Sequence, residues 1–211
     1  MSSSHCLILA AGASSRFGSP KALAPWGNGT LLAQALETAN EVSGQNRTVV
    51  LGGHEQAIRR ELAKLHFSND GIAVNSEWEK GIGTSIGTGA NHIHAHAPST
   101  SFDKNKGVVL LWFVDQPLVT PEHLKALGSL AIENQKCVFT EHDGAMGPPV
   151  AIPTAFLKKA MALSAERGLK SVLEKHEMMT LENEDAFADA DTPETLAILR
   201  DRAMFLFGRD S

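Results

Sequence analysis

Residues 108–114 read Val-Val-Leu-Leu-Trp-Phe-Val, an apolar run with no polar interruption. A strand wetted on one face alternates apolar and polar residues. A run without alternation needs cover on both faces, the environment of a central strand in a parallel sheet. The remainder of the chain is patterned to supply that cover. Short apolar runs at His5–Ala10, Arg47–Leu51, Gly71–Asn75, Lys136–Thr140 and Pro149–Ile152 read as further strands. Amphipathic stretches at Leu31–Val42, His54–Leu65, Gly83–His96, Ala155–Leu163 and Leu169–His176 read as helices, although glycines weaken the third. Thr120-Pro121-Glu122 and Thr192-Pro193-Glu194 each place Thr at an N-cap and Pro at the first helical position, so helices start there. Ser99–Lys106 is polar and reads as a surface loop. Strand–helix alternation of this kind predicts an α/β fold: one three-layer Rossmann-like domain spanning residues 1–211, with a mostly parallel sheet.

Composition narrows the function classes. With 211 residues the chain is long enough for one full core and too short for two ordinary enzyme domains. A net charge of −5 argues against a nucleic-acid binder, which presents a basic face. No apolar run approaches the roughly 18 residues that span a membrane, and the start lacks the basic segment of a secretory signal. Cys6 and Cys137 both sit in apolar runs, so they read as buried thiols in a reducing, cytoplasmic setting. The apolar tail Met204–Phe207 either docks on a neighbour or caps the domain.

The loop after the first strand carries the densest chemistry: Leu9-Ala10-Ala11-Gly12-Ala13-Ser14-Ser15-Arg16-Phe17-Gly18-Ser19-Pro20-Lys21. Small residues let backbone N–H groups approach phosphate oxygens, Gly12 and Gly18 permit a positive φ, and Arg16 and Lys21 add two cations. Open α/β sheets bind ligands at the carboxyl ends of their strands, where this loop belongs. It is not a Walker A loop, because five residues separate Gly12 from Gly18 and Ser follows. Gly81-Ile82-Gly83 is likewise no dinucleotide fingerprint, since the third glycine comes one place late.

Asp115 lies at the mouth of the buried run, where a carboxylate needs a cation or strong donors. Asp189 and Asp191 flank Ala190, and in an extended segment they point the same way. Asp115 and Asp191 together suit Mg²⁺, which takes one or two carboxylates plus substrate oxygens and water. The plainer alternatives are a turn aspartate for Asp115 and helix-dipole complementation for Asp191. Asn75 and Ser85 are candidate ligand contacts or turn caps. Arg167 and Lys170 are candidate phosphate contacts or a solvated helix start. His92, His94 and His96 match no zinc spacing and read as a solvated face.

Leu9-Ala10-Ala11-Gly12-x-Ser14-x-Arg16-x-Gly18-x-x-Lys21 resembles the signature loop of nucleotidyltransferases that include the sugar-phosphate enzymes and the molybdenum-cofactor guanylyl- and cytidylyltransferases. Val114-Asp115-Gln116-Pro117 resembles the family's Gly-Asp-Met-Pro segment, with Val114 for Gly and Gln116 for Met. Asp189-Ala190-Asp191-Thr192-Pro193 is similar to the Asp-Ile-Asp-Thr-Pro of the cytidylyltransferase branch. Asn75–Ser85, Gly147–Val150 (with Pro148 for His) and Arg167–Leu173 resemble further segments of that branch. The resemblance implies a nucleotide-diphospho-sugar transferase type of fold. It implies nucleotide binding by Leu9, Ala10, Ala11, Gly12, Arg16, Lys21, Gly53, Asn75 and Ser85, catalysis by Arg16, Lys21 and Asp115, and Mg²⁺ on Asp115 and Asp191. The expected reaction transfers a nucleoside monophosphate, CMP from CTP being favoured, to a phosphorylated acceptor of the molybdopterin or molybdenum-cofactor kind. A molybdoenzyme is then a candidate recipient of the product. The rivals are a guanylyltransferase or sugar-1-phosphate nucleotidyltransferase, and a non-catalytic nucleotide or cofactor chaperone.

Overall fold

The computed structural model of the chain describes residues 4–96 and 106–208. Apart from Lys106, the expected loop at Ser99–Lys106 lies outside the described residues. The strands of the main sheet are β1 (Ser4–Ala10), β4 (Arg47–Leu51), β5 (Ile72–Val74), β6 (Val108–Phe113), β7 (Cys137–His142), β8 (Ala145–Pro153) and β9 (Met178–Glu182). Their spatial order is β5-β4-β1-β6-β8-β7-β9. All run parallel except β8, which is antiparallel to both neighbours.

Strand β6 sits between β1 and β8 and is covered on both faces, as its unbroken apolar run requires. Val108, Leu110 and Trp112 pack with α1 (Leu31–Ser43), α2 (Glu55–Lys64) and α4 (Pro121–Asn134). Val109 and Leu111 pack on the opposite face with α3 (Ile82–His96) and α5 (Leu157–Met161). The three layers expected from the sequence are therefore present. A third apolar cluster joins a small hairpin, β2 (Pro25–Trp26) and β3 (Gly29–Thr30), to α7 (Pro193–Phe207) through Trp26, Leu118, Leu196 and Leu199. Both Thr-Pro helix starts hold: Thr120 caps α4 and Thr192 caps α7, each accepting a backbone N–H into its hydroxyl.

Several elements differ from expectation. The stretch expected as a helix over Leu169–His176 forms two 3₁₀ turns, Leu169–Val172 and Lys175–Glu177. Leu173 between them is extended, and Glu177 reaches back to the backbone N–H of Glu174 at 2.8 Å in a capping box, so the chain starts a new turn instead of continuing the first. Strand β8 extends well before Pro149, because Asp143 and Gly144 both take positive φ (50° and 76°) and close a two-residue hairpin with β7. Strand β9, the β2–β3 hairpin and the short helix α6 (Glu184–Phe187) carry no long apolar periodicity and were not expected.

The glycines of α3 do not break it. A Cβ on Gly83 would lie 2.5 Å from Arg167 O, on Gly87 2.8 Å from Leu163 O, and on Gly89 2.6 Å from Leu7 Cδ1. They let the helix lie directly on the 163–167 backbone and on β1. Cys6 and Cys137 are free and buried, and burial pushes both thiols up to about 12. The end of α7 does not cap the domain: Met204, Phe205, Leu206 and Phe207 are exposed, Phe205 at 89%. Among the described residues no helix is long and apolar enough to cross a membrane.

Candidate active site

The loop after β1 folds back on its own serine. Ser14 has φ 53°; its carbonyl accepts from Phe17 and Gly18 N–H, and its hydroxyl accepts from Lys21 N–H at 3.0 Å. Gly18 takes the expected positive φ (74°), whereas Gly12 does not, and Ser14 supplies the other left-handed residue. The loop is also held from the end of β4. Gly53 N–H donates to Ala11 O at 3.0 Å, and His54 Nε2 donates to Ala13 O at 2.8 Å. A Cβ on Gly52 would lie 2.5 Å from Ala11 O and 2.8 Å from the Trp78 ring.

This loop forms one wall of a cleft of about 320 Å³ at the carboxyl ends of β1 and β6. Of the residues singled out from sequence, Leu9, Ala10, Ala11, Gly12, Arg16, Lys21, Ser85, Asp115 and Asp191 line it. Gly53 and Asn75 do not line it; they support it. Asn75 is buried, donates through Nδ2 to Ser85 Oγ (2.9 Å) and Thr84 Oγ1 (2.8 Å), and accepts from Glu77 N–H. It thereby sets the Ser85 hydroxyl. Trp78, the aromatic of the Asn75–Ser85 segment, gives the cleft an apolar side together with Ile82 and Phe113, neither of which had been singled out as a site residue. Arg167 and Lys170 are not among the lining residues, and Lys170 Nζ donates to Met146 O. His92 Nε2 donates to Asp70 O, and its ring stacks on His96 at 4.4 Å.

The charged groups converge at the cleft floor. Lys21 Nζ lies 2.6 Å from Asp115 Oδ2 and 3.0 Å from Asp191 Oδ1, and Arg16 Nη1 lies 2.8 Å from Asp191 Oδ2. Burial works against the Lys21 charge, but the two carboxylates outweigh it and hold the ammonium above its usual range. Partial burial likewise opposes the Asp191 charge, and Lys21 and Arg16 overcome it to hold this carboxyl low. Asp189 moves the other way, raised first by desolvation and then by the charges of Asp191 and Asp115. Its position follows from one backbone bond: Ala190 N–H donates to Asp115 O at 2.8 Å, which buries Ala190 and turns both flanking aspartates toward Asp115.

Oxygens of Asp115, Asp189 and Asp191 lie within 4.8 Å of one another. Asp115 Oδ1 is buried and has no hydrogen-bond partner among the described residues. A lone acceptor in an all-oxygen cluster of like charge suits a hard divalent cation. The residues present therefore fit a magnesium-type ion. Asp189 joins them as the member whose place in the cluster the sequence left open.

The profile of the MobA-like NTP transferase domain matches residues 6–179. The molybdenum cofactor cytidylyltransferase of Escherichia coli is 25% identical over 206 residues, covering 96% of this chain and 98% of that protein. The purine catabolism protein PucB of Bacillus subtilis is 28% identical, covering 94% and 96%. The Mycobacterium tuberculosis protein Rv0371c, solved in complex with manganese, shares the fold with a TM-score of 0.67 at 18% identity, covering 95% of this chain and 99% of that one. A cleft at the strand ends with a basic small-residue loop facing aspartates is thus joined to a sequence match over most of the chain, and the protein belongs to the MobA-like NTP transferase family as a nucleotidyltransferase.

Proposed function

We propose that the protein transfers CMP from CTP to a phosphate of a molybdopterin-type acceptor, releasing pyrophosphate. The observation that carries this reading is the convergence of Lys21 and Arg16 on Asp115 and Asp191 at the cleft floor. The choice of CTP and of the acceptor is supported by the full-length similarity to the Escherichia coli cytidylyltransferase. Asp115 and Asp191, with Asp189 beside them, would hold Mg²⁺, which supplies charge neutralisation to the phosphates when bound.

The chain's own groups do the rest. Leu9–Gly12 and Ser85 line the cleft, and the loop N–H groups and the Ser85 hydroxyl would supply polar contacts for the nucleotide. Lys21 is already held charged in the cleft, so it can stabilise the negative charge that grows on the α-phosphate during displacement. Arg16, 70% exposed at its side chain, is free to swing from Asp191 onto the outer phosphates. The acceptor phosphate needs no added nucleophile; it attacks once aligned, so positioning and charge stabilisation account for catalysis.

Thermal stability with CTP, GTP, ATP and UTP, each with and without Mg²⁺, tests the reading. A ligand at about a hundred times its dissociation constant stabilises a fold by about 2.7 kcal/mol. A magnesium-dependent shift with CTP that disappears in Asp115→Ala is the expected outcome. A shift with GTP alone moves the reading to guanylyl transfer, and no shift with any nucleotide favours a chaperone.

A further inference from the structure

Behind the aspartates runs a chain of buried side-chain hydrogen bonds whose direction is fully determined. Pro149 O can only accept, so the Thr140 hydroxyl, 2.8 Å away, donates to it. That hydroxyl proton is then spent, and His123 Nε2, 2.8 Å from the same oxygen, must carry a proton and donate. At the far side of the ring Nδ1 faces Asn183 Nδ2 at 3.1 Å. The orientation of the Asn183 amide is set by its other end, because Oδ1 accepts Ala186 N–H at 2.9 Å as the N-cap of α6. Asn183 therefore donates to a bare Nδ1. His123 is buried, and burial depresses it to about 4, consistent with a neutral ring.

The same helix is gripped from the other side. Gln116, also buried, accepts Phe113 N–H through Oε1 and donates through Nε2 to Pro148 O (2.8 Å) and Ala186 O (3.3 Å). Every polar function of this amide is used. Gln116 adjoins Asp115, and α6 leads directly into Asp189 and Asp191. The network thus joins the two segments that bring carboxylates to the cleft.

We propose that His123, as its Nε2–H tautomer, and Gln116 are positioning residues that hold the Asp115 and Asp189–Asp191 segments at the spacing a divalent cation requires. The inference rests on the reading of these aspartates as the metal site. Groups behind metal ligands typically change affinity about 10- to 100-fold when altered.

Three measurements decide it. Imidazole ¹⁵N spectra of the wild type at neutral pH should show His123 with a protonated Nε2 and an unprotonated Nδ1; a protonated Nδ1 overturns the proposal. Asn183→Asp keeps an N-cap acceptor but places an oxygen against Nδ1, so the same spectra should show that nitrogen gaining a proton. Gln116→Met keeps the side chain's bulk and removes both donors. The Mn²⁺ affinity of folded Asn183→Asp and Gln116→Met, followed by the ion's paramagnetic resonance, should fall about 10- to 100-fold. A merely structural role would lower melting temperatures and leave that affinity unchanged, which sinks the proposal. Asp115→Asn serves as the reference. If it abolishes Mn²⁺ binding while the other two variants bind normally, the positioning claim alone fails. If the wild type binds no Mn²⁺, the metal-site reading fails and takes the claim with it.

Discussion

At the scale of single residues the site rests on one lysine shared between two carboxylates. A charge in that position should matter more to the reacting phosphate than to a bound nucleotide. Lys21→Ala is expected to lower kcat about 10²- to 10³-fold with a much smaller change in nucleotide affinity, as steady-state kinetics and equilibrium binding would show. A large loss of binding with unchanged kcat would remove Lys21 from the catalytic role. The residues that converge here had been singled out from the sequence. Asp115 stood at the mouth of a buried strand, and Arg16 and Lys21 stood on the small-residue loop that follows the first strand, where a ligand was expected. Asp189 was not assignable, because its direction depends on the bond between Ala190 N–H and Asp115 O, which spans distant parts of the chain. Asn75, read as a ligand contact or a turn cap, and Gly53, expected to bind nucleotide from the resemblance, do not line the cleft and hydrogen-bond to residues that do. Sequence marks polar or small residues near a site without saying which side of a turn they face.

At the scale of elements the informative case is α3. Its glycines lower intrinsic helix propensity, which is why periodicity alone gave a weak expectation. They are spent on close approach, where a methyl group would overlap backbone or core atoms. Gly89→Ala forces a Cβ to within 2.6 Å of Leu7 Cδ1 and 2.9 Å of Val50 Cγ2. It is expected to cost about 1–3 kcal/mol in denaturant unfolding despite the better helix former. An increase in stability would show that the sheet yields there. The Thr192 cap offers a second test. Thr192→Ala removes the hydroxyl that accepts Thr195 N–H, with an expected loss of about 1 kcal/mol. The β7–β8 hairpin shows the opposite failing: Asp143-Gly144 is a strong two-residue turn signal, and the short apolar run after it hid the strand that begins there. Strand β9 had no such mark, since an edge strand of half-buried residues lacks both a continuous run and clean alternation.

For the whole molecule, two buried histidines set a pH dependence. His5, buried and further opposed by His92, and His123, buried, are both depressed from 6.5 to about 4. Between those values the unfolded chain binds protons that the folded one refuses, so stability falls as pH falls from 6.5 to 4. The loss should be on the order of 1–3 kcal/mol per histidine and complete below about 4. Urea unfolding across that range measures it, and a flat profile would show that neither ring is neutral in the fold. The pairing of Lys21 with Asp115 and Asp191 has a consequence for biosynthesis. These groups are 94 and 170 residues apart along the chain. A nascent polypeptide can complete its first strands and their loop long before residue 191 leaves the ribosome, yet the cleft floor stays unfinished until then. The cleft floor therefore forms only after every strand of the main sheet has been synthesised, and cleavage between β9 and Asp189 should leave a fragment with all seven strands but without the Asp189 and Asp191 carboxylates.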